Sequence, residues 1–268
     1  MDLGQRREVE RRAAPPAAVV HDAVRADGED NLRRGTIVLA SSGLAAGLSM
    51  GFSFFVPGLI QVHLPDAAWR PLLTALGYPV GFLLVILGRQ QLFTQNTLTV
   101  VLPFLERRDA ATLGRVAHVW GVVLGANLLG ALAVAWVGGH TPVFEPDTQQ
   151  AFTAIGQKAM APDGGTMLLR AIFAGWLIAL IVWLLPFAET ARAWVIFAIT
   201  YVVALAGFPQ IVTAAVTGFY LATTGSVGWG GALTGFLLPT LAGNIVGGVL
   251  LVAVLNHAQV AADSGDSR

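Results

Sequence analysis

A stretch of 70 residues, from Ala193 to Ala262, contains no Asp, Glu, Lys or Arg. A soluble domain cannot keep so long a segment uncharged, because its surface needs polar cover in water. Apolar residues make up 55% of the 268-residue chain and charged residues 12%, against about 25% in a typical soluble domain. The sequence therefore predicts a polytopic membrane protein and excludes a soluble globular enzyme.

Composition also excludes several kinds of functional site. The chain has no cysteine, so a disulfide scaffold, a thiolate metal site and a Cys nucleophile are excluded. Its net charge of zero gives no indication of nucleic-acid binding. The five histidines form no metal-ligand cluster, and no nucleotide-binding motif is present. We therefore expect no catalytic residues, no metal and no cofactor.

Six apolar blocks follow a polar N-terminal segment, and a helix needs about 20 residues to cross the hydrocarbon core. The sequence predicts a cytosolic polar tail at 1–34, a six-span membrane domain at 35–257 and a cytosolic C-terminal tail at 258–268. Two interpretations stay open for the first tail, a short helix at the membrane surface or a disordered segment. The blocks are 36–60, 71–103, 116–138, 168–187, 193–222 and 232–255.

The distribution of Lys and Arg predicts the orientation of the spans. If both termini are cytosolic, twelve of the sixteen basic residues lie in cytosolic segments. Three others, Arg70, Lys158 and Arg170, lie in outer segments, and Arg89 lies inside the second block. This asymmetry favours an even number of spans with both termini in the cytosol.

Two of the blocks are interrupted near their middle. In the second block, residues 88–96 read GRQQLFTQN, which is too polar for a lipid-facing helix. In the fifth block, Gly207 and Pro209 interrupt the apolar run. Non-helical backbone at membrane depth is tolerated only where protein or a water-filled cavity satisfies it. We therefore predict broken second and fifth helices, each with a buried loop.

The interruptions indicate an internal repeat. Each lies in the second block of three, and residues 125–130 (GANLLG) resemble residues 243–248 (GNIVGG) in the matching third block. Two halves with three spans each are inverted in the membrane, and matched breaks indicate a substrate site at the midplane. Asn127 and Asn244 occupy equivalent places, and we interpret them as structural residues that tie the broken helices to their neighbours.

Several motifs resemble those of the formate/nitrite transporter family. They are Leu92-Phe93-Thr94 in the polar break, Gly207-Phe208 in the fifth block and residues 243–248 in the sixth. The strings GRQQLFTQNTLTVVLPFLERR and LLVAVLNHAQV are similar to a bacterial subgroup, the YfdC-like inner-membrane proteins. The resemblance covers about residues 33–260.

The resemblance implies an all-α, aquaporin-like protomer with six transmembrane helices in two inverted halves. It also implies a homopentamer in the bacterial inner membrane, with one pore per protomer. The substrates would be small monovalent anions, namely formate, nitrite, hydrosulfide, lactate or acetate. In the family, two hydrophobic constrictions flank a central His on the fifth span, a loop Thr lies opposite that His, and a Lys attracts the anion at the outer vestibule.

Most of the family's pore residues can be carried over to this chain by position. The central His falls on Gln210, and an Asn that the family often has on the fourth span falls on Gly175, so the chain departs from the pattern at both places. The remaining implied pore residues are Leu92, Phe93 and Thr94 in the loop, Tyr78 and Phe82 in the first half, Val203 in the second half, and Lys158 at the outer vestibule.

Two polar residues of the predicted pore each allow two interpretations. Gln210 offers only neutral donors and a carbonyl, so as a pore residue it could not relay a proton as His would. In the other interpretation, it only satisfies backbone groups of the broken helix. Arg89 at membrane depth either lines the pore as a fixed positive charge or braces the loop by binding backbone carbonyls. We expect a channel or passive transporter for small monovalent anions. The alternatives are a pore for a small neutral solute and a non-conducting scaffold or sensor with the same fold.

Overall fold

The computed structural model describes residues 16–250, and every regular element in that range is helical. Five helical stretches there are long and apolar enough to cross a membrane. The all-α membrane class predicted from the sequence is therefore confirmed. The end of the sixth block and the predicted C-terminal tail lie outside the described residues. The five stretches are Thr36–Val62, Arg70–Leu87, Ala110–His140, Gly164–Phe187 and Gly231–Gly248.

Helices of very different length alternate along the described chain. A π-helical segment, Gly231–Leu237, leads into the last of them. In chain order they are α1 (Ala17–Arg33), α2 (Thr36–Met50), α3 (Phe52–Val62), α4 (Arg70–Thr74), α5 (Pro79–Leu87), α6 (Phe93–Thr99), α7 (Val101–Arg107), α8 (Ala110–His140), α9 (Pro146–Met160), α10 (Gly164–Leu184), α11 (Arg192–Leu205), α12 (Ile211–Thr223) and α13 (Leu238–Gly248).

Two helix pairs, α2 with α8 and α10 with α13, pack so closely that their backbones touch. A Cβ atom added to Gly47 on α2 would lie 2.2 Å from the Asn127 carbonyl oxygen on α8. A Cβ atom added to Gly175 on α10 would lie 2.4 Å from the Asn244 carbonyl oxygen on α13. Only glycine fits at such distances, so these residues set the spacing within each pair. The close packing of α10 on α13 therefore explains why residue 175 is a glycine.

The N-terminal segment contains a helix, α1, which packs against α6 and α7. A Cβ atom at Gly28 would lie 2.0 Å from the Thr99 carbonyl oxygen, so the two backbones are in contact. The Arg25 guanidinium pairs with the Glu106 carboxylate at 3.1 Å. Within this segment Ala17–Arg33 is helical and covers the end of the bundle next to the first break, while residues 1–15 lie outside the described residues.

The structure has one helix, α9, that the apolar blocks did not indicate. It begins with Pro146, in the first turn, where the backbone N–H would have no partner within the helix. The apolar side of the helix is short. Phe152 anchors it among Phe54, Phe55 and Tyr220, with ring centroids 5.1–5.7 Å apart. Because its other sides are polar, α9 is not a membrane span by composition, and it was missed for that reason.

We predict that Gly47→Ala disrupts the α2–α8 contact, because the new Cβ meets a backbone carbonyl that cannot move aside. Gly114→Ala on α8 is the matched control, since nothing in the described part of the chain lies within 4 Å of its Cβ position. Thermal unfolding in detergent should show a Tm several degrees lower for Gly47→Ala and an unchanged or higher Tm for Gly114→Ala. Equal stability of the two variants would contradict this packing.

Candidate functional site

The chain leaves helical geometry in the same way at the two predicted breaks, after α5 and after α11. After α5, the Arg89 N–H donates to the Ile86 carbonyl (3.2 Å) and the Gln90 N–H to Val85 (2.9 Å). This pattern ends a helix when one residue adopts a left-handed backbone, and Arg89 has φ 51°. After α11, the Gly207 and Phe208 N–H groups make the same two bonds, at 3.1 and 3.0 Å.

The left-handed residue differs between the two breaks. In the second break it is Gly207, with φ 63°, which has no steric cost in that conformation. In the first break it is Arg89, whose Cβ makes the conformation unfavourable by about 1–2 kcal/mol. The two breaks therefore share a backbone geometry, and the first carries a long cationic side chain where the second carries none.

Asn127 and Asn244 bind the helices that follow the breaks. The Asn127 carboxamide oxygen accepts from the Phe93 N–H at 2.9 Å, and its NH₂ donates to the carbonyls of Gly43 (2.7 Å) and Gln91 (2.9 Å). Each asparagine is fully buried, so no water competes for these bonds. One side chain thus ties the first residue of α6, the break and α2 together.

The Asn244 side chain repeats this arrangement in the second half. Its oxygen accepts from the Ile211 N–H at 2.7 Å, and its NH₂ donates to Ala171 (2.8 Å) and Pro209 (3.0 Å). The Asn127 and Asn244 side chains therefore make equivalent bonds in the two halves. Both act on the backbone of a break.

Gln210 and Thr94 bring the two breaks into direct contact. The Gln210 side-chain oxygen caps α12 by accepting from the Val212 and Thr213 N–H groups, at 3.0 and 2.9 Å. Those two donors fix the orientation of the amide, so its NH₂ points away from α12 and donates to the Thr94 hydroxyl at 2.9 Å. Gln210 and Thr94 are fully buried. The position expected for the central His is thus joined to the loop Thr.

An outer cavity of about 600 Å³ reaches Gln210 from one side. Besides Gln210, three of its lining residues were predicted as pore residues, namely Tyr78, Val203 and Lys158. Lys158 comes from α9, so the helix that the sequence did not indicate supplies it. Arg70 and Arg170 also line this cavity, which gives it three cationic side chains, and Arg70 is paired with Asp66 at 2.9 Å.

An inner cavity of about 310 Å³ lies on the side of the breaks that α1 covers. Arg89 lines it, together with Arg34, Arg192 and the carboxylate of Asp27. Within residues 16–250 the Arg89 guanidinium binds no other residue, so it does not brace the loop through its carbonyls. Thr94 lines neither cavity, and the Gln210–Thr94 hydrogen bond lies between them.

Besides Thr94, three predicted pore residues lie outside the lining of both cavities. Leu92 and Phe93 are buried at the start of α6, where the Phe93 ring packs edge-on against Trp120 with centroids 5.7 Å apart. Phe82 is also fully buried, with its ring centroid 5.3 Å from that of Tyr78. These side chains support the walls near the breaks, and the structure does not bring them into either cavity.

Arg34 and Arg192 line a cavity but were not predicted as site residues. The sequence indicated them only as positive charges on the cytosolic side, and Arg170 only as a positive charge on the outer side. A sequence signal existed for Arg192, because it is the last charged residue before the 70-residue uncharged stretch. Nothing in the sequence places Arg34 beside it, since the two are brought together by the packing of α1.

The chemistry at the junction of the two breaks is that of neutral hydrogen-bonding groups. Neither an amide nor an aliphatic hydroxyl gains or loses a proton near neutral pH. Among residues 16–250, no group of three His, Cys, Asp or Glu side chains could hold a metal ion. The arrangement offers donors to a small polar or anionic solute between two cavities that both have cationic walls.

Comparison with known proteins agrees with this architecture. The family model for the formate/nitrite transporters matches residues 18–258. The chain is similar to the inner membrane protein YfdC of Escherichia coli K12, with 40% identity over 100% of this chain and 86% of that protein. It is also similar to a formate channel of Bacillus thuringiensis, with 26% identity over 77% of this chain and 80% of that protein.

Solved structures show the same fold at low sequence identity. An ion channel of the same family superposes with a TM-score of 0.76 and 18% identity, over 88% of this chain and 97% of that one. A pentameric formate channel with formate bound superposes with a TM-score of 0.69 and 19% identity, over 88% and 99%. Given the family model and the full-length similarity to YfdC, the chain belongs to the formate/nitrite transporter family.

Proposed function

We propose that this protein is a channel or passive transporter for small monovalent anions of the formate and nitrite class, in the bacterial inner membrane. The observation that carries the proposal is the pair of cation-lined cavities that approach one hydrogen-bonded contact, Gln210 with Thr94, from opposite sides. Fixed positive charge raises the local concentration of anions and lowers their barrier relative to cations.

The architecture that we propose is six transmembrane spans in two inverted halves, with broken second and fifth spans. Its support is the regular offset between matched positions. Arg89 and Gly207 are 118 residues apart, as are Leu92 and Gln210, and each pair occupies the same place in its break. An inverted repeat places such a pair of breaks at the membrane midplane, where transporters of this type bind their substrate.

The proposed orientation rests on the distribution of Arg, and it assigns a side of the membrane to each cavity. The inner cavity is lined by α1 and faces the predicted cytosolic side, while the outer cavity holds Lys158 of α9. Both termini are then cytosolic, in agreement with the excess of Arg on that side. Lys158 and Arg170 are the charges that an anion entering from outside meets first.

Gln210 makes simple permeation the favoured mechanism. Its amide bonds are all made to α12 and to Thr94, and neither partner titrates. A His at this position could exchange a proton with a permeating weak acid, whereas Gln cannot. The neutrality of the junction also favours one second candidate, a pore for a small neutral solute, and the flux experiment separates the two.

The test is a flux assay in proteoliposomes with formate, nitrite and urea as solutes. We expect formate and nitrite flux to exceed urea flux at least about tenfold, because the cationic cavities favour anions. The flux of the formate anion should show no step between about pH 5 and 8, and Gln210→His should introduce one in that range.

Three results would count against this account. Urea flux equal to formate flux would favour the neutral-solute pore, and no flux through correctly assembled protein would favour a non-conducting scaffold. A steep pH step in the wild type that matches formate–proton symport would mean that protons reach the junction by a route other than position 210. Thr240→Val, at a buried threonine outside both cavities, serves as the control variant.

We also propose that the protein assembles as a homopentamer. A solved relative in fold is a pentameric formate channel. Among residues 16–250, nothing lies within 4 Å of a Cβ at Gly121 or Gly125 on α8, so we propose that close helix approach there involves another protomer. Native mass measurement in detergent should give a mass five times 28.1 kDa plus bound lipid. A stable monomer would contradict the proposal.

A further inference from the structure

The inner cavity carries more positive charge than its own carboxylate neutralises. Three guanidinium groups line it, from Arg34 after α1, Arg89 in the first break and Arg192 at the start of α11. Asp27 supplies a single negative charge. Like charges that share about 310 Å³ repel one another, and an anion bound among them removes that repulsion.

Three of the neutral amides that line the cavity are bonded to one another. The Gln91 NH₂ donates to the Asn31 oxygen at 3.1 Å, and the Asn96 NH₂ donates to the Gln91 oxygen at 3.0 Å. The Asn31 NH₂ donates to the Asn96 oxygen at 3.4 Å, which closes the ring. These three amides therefore hold α1 on the break, and the guanidinium groups are the charged donors left for a ligand.

Each of the three arginines keeps donors free for such a ligand. The Nε of Arg192 donates to the Leu185 carbonyl at 3.2 Å, which positions the group and leaves both terminal nitrogens open. Within residues 16–250, the Arg34 and Arg89 guanidinium groups have no hydrogen bond or ion pair. A guanidinium presents paired N–H donors whose spacing matches the two oxygens of a carboxylate or nitrite.

The left-handed backbone of Arg89 indicates that its side chain has a function. The matched position in the second break is Gly207, so the left-handed conformation itself requires only a glycine. Arginine there has a steric cost that glycine would avoid, and an unfavourable residue held in place suggests a function for it. The function that its surroundings offer is charge in the inner cavity.

We propose that Arg34, Arg89 and Arg192 form a binding site for a small soluble oxyanion in the inner cavity. The class of anion rests on the proposed function, and the inference extends that function by a second anion-binding site on the cytosolic side of the Gln210–Thr94 contact. Arg34 and Arg192 bind the anion in this site, and α1 is part of the site because Arg34 directly follows it.

Asp27 opposes anion binding at this site. Desolvation at the cavity wall raises the pKa of its carboxyl, while the charges of Arg34 and Arg89 lower it and that of Asp30 raises it further. Arg192 lines the same cavity from α11. Protonation of Asp27 removes the only negative charge of the lining, so anion affinity should rise as pH falls through its raised pKa. Asp27→Asn should bind more tightly and lose that pH dependence.

The test is protection from an arginine reagent, which needs no transport. The full-length protein in phosphatidylcholine nanodiscs is treated with phenylglyoxal, with and without sodium formate or sodium nitrite, and the modified arginines are quantified by peptide mass spectrometry. Either anion should slow the modification of Arg34, Arg89 and Arg192 at least about threefold, because an occupied guanidinium is shielded. Arg108 should react at the same rate throughout.

Arg108 also supplies the matched control variant. It has the same left-handed backbone as Arg89, with φ 52° against 51°, and it is exposed outside both cavities. Arg89→Gly and Arg108→Gly therefore both place glycine where glycine is favoured, and neither should unfold the protein. Arg89→Gly should abolish the protection of Arg34 and Arg192, whereas Arg108→Gly should leave it unchanged.

The outcomes separate this inference from the proposed function. If all four arginines are slowed equally, or none is slowed, the site is wrong even if anion flux is observed. If the cavity arginines are protected only in nanodiscs that contain phosphatidylglycerol, the ligand is a lipid headgroup and the soluble-anion site is overturned. Protection by formate in a protein that shows no flux would support the site and contradict the channel.

Discussion

Two buried asparagine side chains satisfy backbone groups at both interruptions of the helices, after α5 and after α11. A break in a span exposes backbone N–H and C=O groups where no water can satisfy them. Asn127 and Asn244 each supply one acceptor and two donors, and each uses all three on the backbone around a break. Loss of either side chain would leave three buried groups unpaired, at about 1–3 kcal/mol each.

The functional geometry follows from those bonds. Because each asparagine fixes the first N–H of the helix after the break, α6 and α12 begin at defined points, and Thr94 and Gln210 meet. The outer cavity reaches Gln210, the inner cavity is lined by Gln95 and Asn96, which follow Thr94, and both cavities have cationic walls. The close approach of α2 to α8 and of α10 to α13, which glycine permits, places the asparagines within reach of both breaks.

Much of this frame could be predicted from local patterns. The polar run at 88–96 and the Gly207–Pro209 pair indicated the breaks, because such residues are incompatible with a continuous lipid-facing helix. The similarity of residues 125–130 to 243–248 indicated the paired asparagines. Helix α9 was missed because it is amphipathic and lies outside the apolar blocks.

Residues brought together by packing could not be predicted. No local pattern predicts that Arg34 and Arg192 line the same cavity, because they are 158 positions apart in the sequence. They line it together because α1 packs against the bundle. The burial of Phe82, away from both cavities, likewise depends on the rotation of α5 about its axis, which apolar composition on every side leaves undetermined.

The most direct test of this account is a double-mutant cycle on formate flux between Thr94→Val and Gln210→Leu. If the hydrogen bond between these side chains is the junction that the anion crosses, the two changes share one effect, and the double variant should differ little from either single variant. Thr94→Val combined with Thr240→Val should be additive, because Thr240 lines neither cavity. Additive effects of Thr94→Val and Gln210→Leu, equal to those of the control pair, would contradict the account.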